Sequence, residues 1–487
     1  MKIADLMSES GVPFGTSGVR GLSDHITDRV AYAYTTAFLQ YLNLEEEDRM
    51  LVVAGDLRPS TPRIKNAVML AAEEFGYYVV DCGLIPSPAV ALYGFRTGVP
   101  SVMVTGSHIP ADRNGIKFTK PSGEISKIDE QGIKAQDVDI PEQYFSESGN
   151  LLEELDDFSQ NDEPYYSYIE RYTGAFPKNL LEGRKIGVFE HSAVGRDIMI
   201  EIVKRLGGVP VSLGRSKDFV PVDTEAIRPE DIESAAKWAK ENDLFAIIST
   251  DGDSDRPLIS DENGKWLRGD VTGILTAQFL NADCVVTPVS CNSAVEQAGF
   301  KKVIRTRIGS PYVIEGMNKA SEEGFSRVVG YEANGGFLIH DDLKIESGEL
   351  RALPTRDPII VHLAILSLAI KQGVKVSQLL EKLPSIYTAS DRLKEFPVSQ
   401  SKAVIEKLSA SNGGKYEEAE KYFLSICGEI NNVDFTDGMR IRFVNGEVIH
   451  LRPSGNAPEF RCYTEASSEA RANEILQLVL PIMQSWR

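Results

Sequence analysis

Short β-branched apolar runs recur along this chain, and each breaks into a polar, glycine-containing loop. Residues 51–56, Leu-Val-Val-Ala-Gly-Asp, predict a strand. Thr61-Pro62 then opens a helix, with Ile64, Val68, Ala71, Ala72 and Phe75 on its buried face and Gly76 as its stop. Residues 78–81 predict a second strand, and Val102-Met103-Val104 a third, which ends abruptly in Thr105-Gly106-Ser107. The layout returns as a strand at 185–190, a helix at 198–206 closed by Gly207-Gly208, and a strand at 209–213. A further strand at 244–249 then runs into Thr250-Asp-Gly-Asp-Ser-Asp-Arg256. A third copy has strands at 284–288, 302–305 and 327–330 and a short helix near 293–297, and it enters Tyr331-Glu-Ala-Asn-Gly-Gly336. The unusual loop follows the third strand each time. Ligands bind at the carboxyl ends of strands in open α/β sheets, so three chemically different loops predict three domains facing one cleft.

The C-terminal pattern differs. Residues 439–444 and 447–451 flank Asn445-Gly446, which predicts a hairpin with a type I′ turn. A strand at 459–463 and a helix at 468–484 complete a small α+β unit, with Arg452-Pro-Ser-Gly-Asn-Ala-Pro458 between its strands. A helix at 357–371 precedes the end of the third domain, and the acidic stretch 142–162 reads as a connector. The expected fold is α/β: three topologically similar α/β domains plus a C-terminal α+β domain around a central cleft. The expected spans are 1–160, 161–266, 267–387 and 388–487 of the 487 residues.

Composition narrows the function. The formal charge of −19 argues against nucleic acid or an anionic membrane as main partner. It leaves room for a small phosphorylated substrate, because a few cleft arginines set the local field. The five cysteines are scattered without a Cys-x-x-Cys, which predicts neither a disulfide frame nor a zinc site and points to a reducing, cytoplasmic setting. Residues 359–370 are too short for a membrane span and contain His362, and the N-terminus lacks a signal-peptide pattern.

The loops carry the candidate chemistry. Gly106 allows a sharp turn that stands the Ser107 hydroxyl at a strand end, and a second turn at Asn114-Gly115 returns Lys117 to the same region. Lys117 reads as a general acid–base group beside Ser107 or as a surface lysine. His108 points away from Ser107 in an extended loop, so orienting and catalytic roles both stand. Gly15, Gly18 and Gly21 permit close backbone approach to a ligand, and Arg20 suits an oxyanion. Asp251, Asp253 and Asp255 repel one another, and a hard divalent cation is their natural occupant. A calcium loop is the rival: Glu262 falls at its twelfth place, but Arg256 and Pro257 hold the sixth and seventh, and a strand precedes it. Arg256 offsets the charge and suits a phosphate. Glu332 and Asn334 suit sugar hydroxyls. Arg452, Ser454, Gly455, Asn456 and Arg461 make an anion-binding loop.

Together these stretches resemble the α-D-phosphohexomutases over most of the chain. Thr105-Gly-Ser-His-Ile-Pro110 with Asn114-Gly-Ile-Lys117 is similar to the family's serine loop, and Phe14-Gly-Thr-Ser-Gly-Val-Arg-Gly21 to its N-terminal segment. The resemblance implies a phosphoryl carrier at Ser107, with His108, Lys117 and Arg20 beside it. It implies one Mg²⁺ on Ser107, Asp251, Asp253 and Asp255. Arg256, Glu332, Asn334 and the 452–461 loop become substrate contacts. The implied activity interconverts hexose 1- and 6-phosphates through a hexose 1,6-bisphosphate, which also serves as activator. Mannose phosphate is favoured over glucose phosphate or an N-acetylglucosamine phosphate, and the expected assembly is a monomer or dimer. The chain departs from the usual pattern at Ile109 (Asn), Asn334 (Ser), Gly336 (His), the 306–310 loop and Gly455-Asn-Ala-Pro458.

Overall fold

Seven strands form the first sheet, and the order in which they pair explains where the serine loop sits. In the computed structural model β1 is Gly18–Leu22, β2 Met50–Gly55, β3 Tyr78–Leu84, β4 Ser101–Val104 and β5 Arg113–Lys120. β2 pairs in parallel with both β3 and β4, while β5 runs antiparallel between β4 and β1. The structure describes every residue except 16, 47, 48, 154–157, 346, 412–414 and 455–457. The chain divides into two units, Met1–Ala282 with Ser326–Leu379, and Asp283–Phe325 with Leu380–Arg487.

In the first unit, the Thr61-Pro62 helix spans Thr61–Glu74 as expected. The helix Asp28–Leu42, eleven of whose residues are buried, was not predicted. Its Phe38 stacks on Phe118 of β5 with ring centroids 4.7 Å apart. Asn114-Gly115 is not a turn. Both residues lie within β5, where a Cβ on Gly115 would stand 2.6 Å from the Val19 carbonyl oxygen and 2.8 Å from that of Thr105. Glycine is needed there because backbone approaches from both sides.

A second sheet takes the order Pro257–Ile259, Ala246–Thr250, Lys185–Phe189, Val209–Leu213; only the first pair is antiparallel. Val328–Tyr331 pairs antiparallel with Phe337–Ile339. All three polar loops therefore join a strand to an antiparallel neighbour: β4 to β5, Ala246–Thr250 to Pro257–Ile259, and Val328–Tyr331 to Phe337–Ile339. The helix Pro358–Gln372 is capped by Asp357, whose carboxylate accepts from Ile359 N–H at 3.2 Å. Among the described residues no single helix is long and apolar enough to cross a membrane.

In the second unit Cys284–Pro288 and Lys302–Thr306 pair in parallel, and the segment Ser293–Gln297 is 3₁₀ rather than α-helical. Five antiparallel strands follow in the order Tyr387–Lys394, Glu459–Ala466, Val448–Pro453, Met439–Phe443, Ile430–Asp434. The Asn445-Gly446 hairpin forms, but not with a type I′ turn. Only Gly446 has a positive φ, at 87°, and Phe443 both accepts from Gly446 N–H and donates to the Glu447 carbonyl. This is the longer hairpin loop, a type I turn closed by a left-handed glycine.

Candidate functional site

The serine loop hangs on one buried arginine. Arg58 is 1% exposed and spends its guanidinium on the loop backbone. Nη2 donates to the carbonyls of Ser107 (2.8 Å) and Ile109 (2.6 Å), and Nη1 to those of Pro110 (2.6 Å) and Arg113 (2.8 Å). Nε donates to Asp56 Oδ2 at 3.2 Å. The same carboxylate oxygen accepts from Thr105 Oγ1 at 2.7 Å, and Thr105 Oγ1 accepts from Ser107 N–H at 2.8 Å. A Cβ on Gly106 would meet the guanidinium carbon at 2.6 Å, so Gly106 is what lets Arg58 in. These bonds hold Ser107 at φ +56°, a left-handed conformation that costs a non-glycine residue energy. The turn also brings His108 back: its Nδ1 lies 3.4 Å from Ser107 Oγ, where an extended loop would have pointed it away. Burial, then Arg256 and Arg20, holds the His108 imidazole far below its usual range, so the ring is neutral.

Across from the serine stand the three aspartates. Ser107 Oγ donates to Asp251 Oδ2 at 2.6 Å. Asp251, Asp253 and Asp255 are at most 2% exposed, and each turns one oxygen to a common point, all within 4.8 Å of one another. Lys117 Nζ, carried back by β5, donates to Asp253 and, at 2.8 Å, to Asp255. Burial pulls the lysine down, but Asp253 and Asp255 outweigh it and the ammonium is held above its ordinary range. Burial, then Asp253 and Asp255, pushes Asp251 well above the carboxylate range. Asp253 Oδ1 and Asp255 Oδ1 are buried without a hydrogen-bond partner among the described residues. Three clustered carboxylates with unpaired buried oxygens are the donor set a hard divalent cation fits. Glu262 is engaged elsewhere, accepting from Ser377 Oγ at 2.6 Å, which removes the twelfth ligand of a calcium loop.

Arginines crowd the same place. Arg20 and Arg256 line a small cavity with Ser107, Lys117 and Arg356. Arg256 Nε stands 3.9 Å from Asp251 and 3.8 Å from Asp255 and has no hydrogen-bond partner among the described residues. Burial, then Arg256, pushes Arg20 down to about 10. Arg356 escaped the sequence reading. It donates through Nε (3.0 Å) and Nη2 (2.8 Å) to Asp255 Oδ2, and through Nη1 (3.3 Å) to Glu332 Oε2. It sits just before a helix cap, with no glycine-rich loop to flag it. Asn334 is buried and turned inward: its side-chain oxygen accepts from Gly336 N–H at 2.8 Å, and its carbonyl accepts from Thr224 at 2.7 Å. A larger groove of about 1000 Å³, against Phe245 and Ile370, is lined by none of the candidate residues.

In the second unit Arg452 and Arg461 stand directly opposite each other on paired strands. Arg452 Nε is 3.0 Å from Asp437 Oδ2, and Arg461 Nη2 donates to Glu459 at 3.1 Å. Ser454 is 4% exposed, and its N–H donates to the Glu459 carbonyl. Gly455 and Asn456 lie outside the described residues.

Four segments match the phosphoglucomutase/phosphomannomutase domains: alpha/beta/alpha domain I at residues 11–141, domain II at 163–264, domain III at 268–387 and the C-terminal domain at 388–481. A phosphomannomutase of Salmonella muenchen is 43% identical over 99% of this chain and 97% of its own. One of Sinorhizobium fredii is 40% identical over 98% and 99%. A phosphoglucomutase/phosphomannomutase family protein of Burkholderia thailandensis has the same fold, with a TM-score of 0.73 at 20% identity over 97% of this chain and 96% of that one. Full-length likeness at this level places the chain in the phosphoglucomutase/phosphomannomutase family, the phosphohexomutases.

Proposed function

We propose that this phosphohexomutase is a phosphomannomutase that interconverts mannose 1-phosphate and mannose 6-phosphate through phosphorylated Ser107. The observation that carries the serine's role is the 2.6 Å bond from Ser107 Oγ to Asp251, inside a three-carboxylate cluster faced by Lys117. The names of the two relatives at 43% and 40% identity support mannose phosphate as the sugar. Glucose phosphate is the alternative in the family name.

Asp251, Asp253 and Asp255, with Ser107, are the residues that would hold Mg²⁺. Bound there, the ion supplies Lewis-acid polarisation of a phosphoryl oxygen. In the forward transfer a sugar hydroxyl attacks the phosphorus of phosphoserine and the bond from phosphorus to Ser107 Oγ breaks; Oγ takes up a proton from a neighbouring acid, and the proton the hydroxyl gives up restores the acid that supplied that proton. Lys117 lines the same cavity as Ser107 and keeps its charge, and we assign it that proton. Arg20 and Arg256 neutralise the phosphoryl charge, where positioning and electrostatics supply most of the catalysis. His108 orients the serine. Glu332 and Asn334 take the sugar hydroxyls. Arg452, Ser454, Gly455, Asn456 and Arg461 clamp the phosphate that is not reacting, and a hexose 1,6-bisphosphate primes the serine. The four domains are assigned to 1–160, 161–266, 267–387 and 388–487. Five buried free cysteines suit the cytoplasm.

Phosphorus NMR tests the reading. With Mg²⁺ and a trace of hexose bisphosphate, the protein turns mannose 1-phosphate into mannose 6-phosphate faster than it turns over the glucose compound. A chelator stops turnover and Mg²⁺ restores it, while Ser107→Ala is inactive at an unchanged melting temperature. Inorganic phosphate in place of the 6-phosphate would sink the proposal.

A further inference from the structure

Gly336 closes the sugar loop, yet its backbone has no need of glycine, because its φ is not positive. The need is for space. A Cβ at 336 would stand 2.4 Å from Arg356 Cδ and 2.6 Å from its Cγ. The Arg356 stem fills the volume that a side chain at 336 would take. Its guanidinium passes over the sugar loop to hold two carboxylates, Asp255 of the metal loop and Glu332 of the sugar loop.

The arginine cannot easily move aside. On one side Thr355 Oγ1 donates to Glu124 at 2.6 Å. On the other, the Asp357 carboxylate accepts from Tyr168 at 2.8 Å and from Tyr172, and caps the helix Pro358–Gln372. Three consecutive side chains are thus fastened to three different parts of the unit. Arg356 itself is 6% exposed.

We propose that Arg356 and Gly336 are a matched pair that determines sugar specificity. Arg356 is a positioning residue: it fixes the Glu332 carboxylate against the metal loop, so that Glu332 reads the direction of a sugar hydroxyl from a rigid place. A site built to hydrogen-bond one hydroxyl rejects an analogue that cannot present it there, and an epimer, whose hydroxyl points elsewhere, is rejected in the same way when the acceptor cannot swing to follow. The pair rests on the assignment of Glu332 to the sugar.

The experiment is a double-mutant cycle with Arg356→Met and Gly336→Ala. It is read as the ratio of kcat/KM for mannose 1-phosphate to that for glucose 1-phosphate, with KM and melting temperature alongside. Arg356→Met lowers the ratio roughly tenfold, mostly through KM for the preferred sugar, as expected for a hydrogen-bonding acceptor set loose. Gly336→Ala lowers it in the same direction by pushing the arginine off Glu332. In the Arg356→Met background Gly336→Ala adds nothing to the ratio, because no guanidinium is left for it to push off Glu332. If Arg356→Met does not fold, Gly336→Ala and Arg356→Lys carry the test; lysine keeps the charge but cannot fork between two carboxylates, and the ratio still falls. An unchanged ratio in folded variants, additive effects in the cycle, or a wild type that does not discriminate overturns the pair. Those results leave the mutase reading standing, whereas a wild type that turns over neither sugar phosphate ends both.

Discussion

Arg58 donates to four backbone carbonyls and one carboxylate, and none of these atoms belongs to a substrate. Its effect on chemistry is geometric: it holds Ser107 in a conformation the residue would leave if released. In Arg58→Lys a single ammonium replaces the fork, and four carbonyls compete for three donors. A shift of about 1 Å at a reacting atom costs on the order of 10²-fold in rate, so kcat falls by roughly that factor while KM changes little. Steady-state kinetics beside a melting curve check this; a lowered melting temperature with kcat intact would leave Arg58 a purely structural residue. At this scale the sequence was readable where a loop announced itself. The aspartate triplet and Ser107 lie on polar breaks after apolar strands, and the structure brings them together. Arg356 had no such sign, because its meaning comes from Asp255, 101 residues earlier. His108 was misplaced because a positive φ at a serine leaves no trace in composition.

Secondary-structure elements behaved differently. Strands were legible because buried parallel strands read as β-branched runs bounded by glycine. The helices Asp28–Leu42 and Ser310–Glu322 were not: the first is buried nearly all round, and the second begins at Ser310-Pro311, at the end of a loop read only as a departure from the family pattern. Asn-Gly misled at 114–115, where the pair serves close backbone contact within β5 rather than a turn. One helix start makes a quantitative test. Ser126 and Asp129 form a capping box on Lys127–Lys134, and Asp129 also accepts from Lys120 and Tyr41, at 2.8 Å each. Burial opposes the charge, but the bonds from Lys120, Ser126 and Tyr41 outweigh it and hold the carboxyl down at about 2. The depressed value means that the stabilisation is complete above the unfolded value near ~4 and is lost as pH falls toward 2. Urea titrations of wild type and Asp129→Asn should therefore converge by roughly 2 kcal/mol between pH 6 and pH 2. A gap independent of pH would mean the ionised carboxylate contributes nothing special.

For the whole molecule, composition predicted the compartment through its cysteines, and their burial gives a probe of cooperativity. All five are free and at most 4% exposed. Burial pushes Cys82 up to about 12 and Cys284 up to about 11, so the reactive thiolate is scarce at neutral pH. Ellman's reagent should find no fast thiol in the native protein and five in denaturant; a fast class under native conditions would mark local opening around that cysteine.

The first unit is assembled from two separated stretches of chain, with residues 283–325 spent elsewhere between them. During synthesis this makes a timetable. The aspartates emerge with Lys117 already made, but the Arg356 guanidinium that donates twice to Asp255 is 101 residues behind. At translation speeds of ~5–20 residues per second that is a delay of about 5 to 20 s. For that interval the nascent chain has Lys117 for Asp255 but not Arg356, and the strands that flank the sugar loop are still being made. The phosphoryl-transfer centre is therefore among the last parts of its unit to close, so an unfinished chain has no working site.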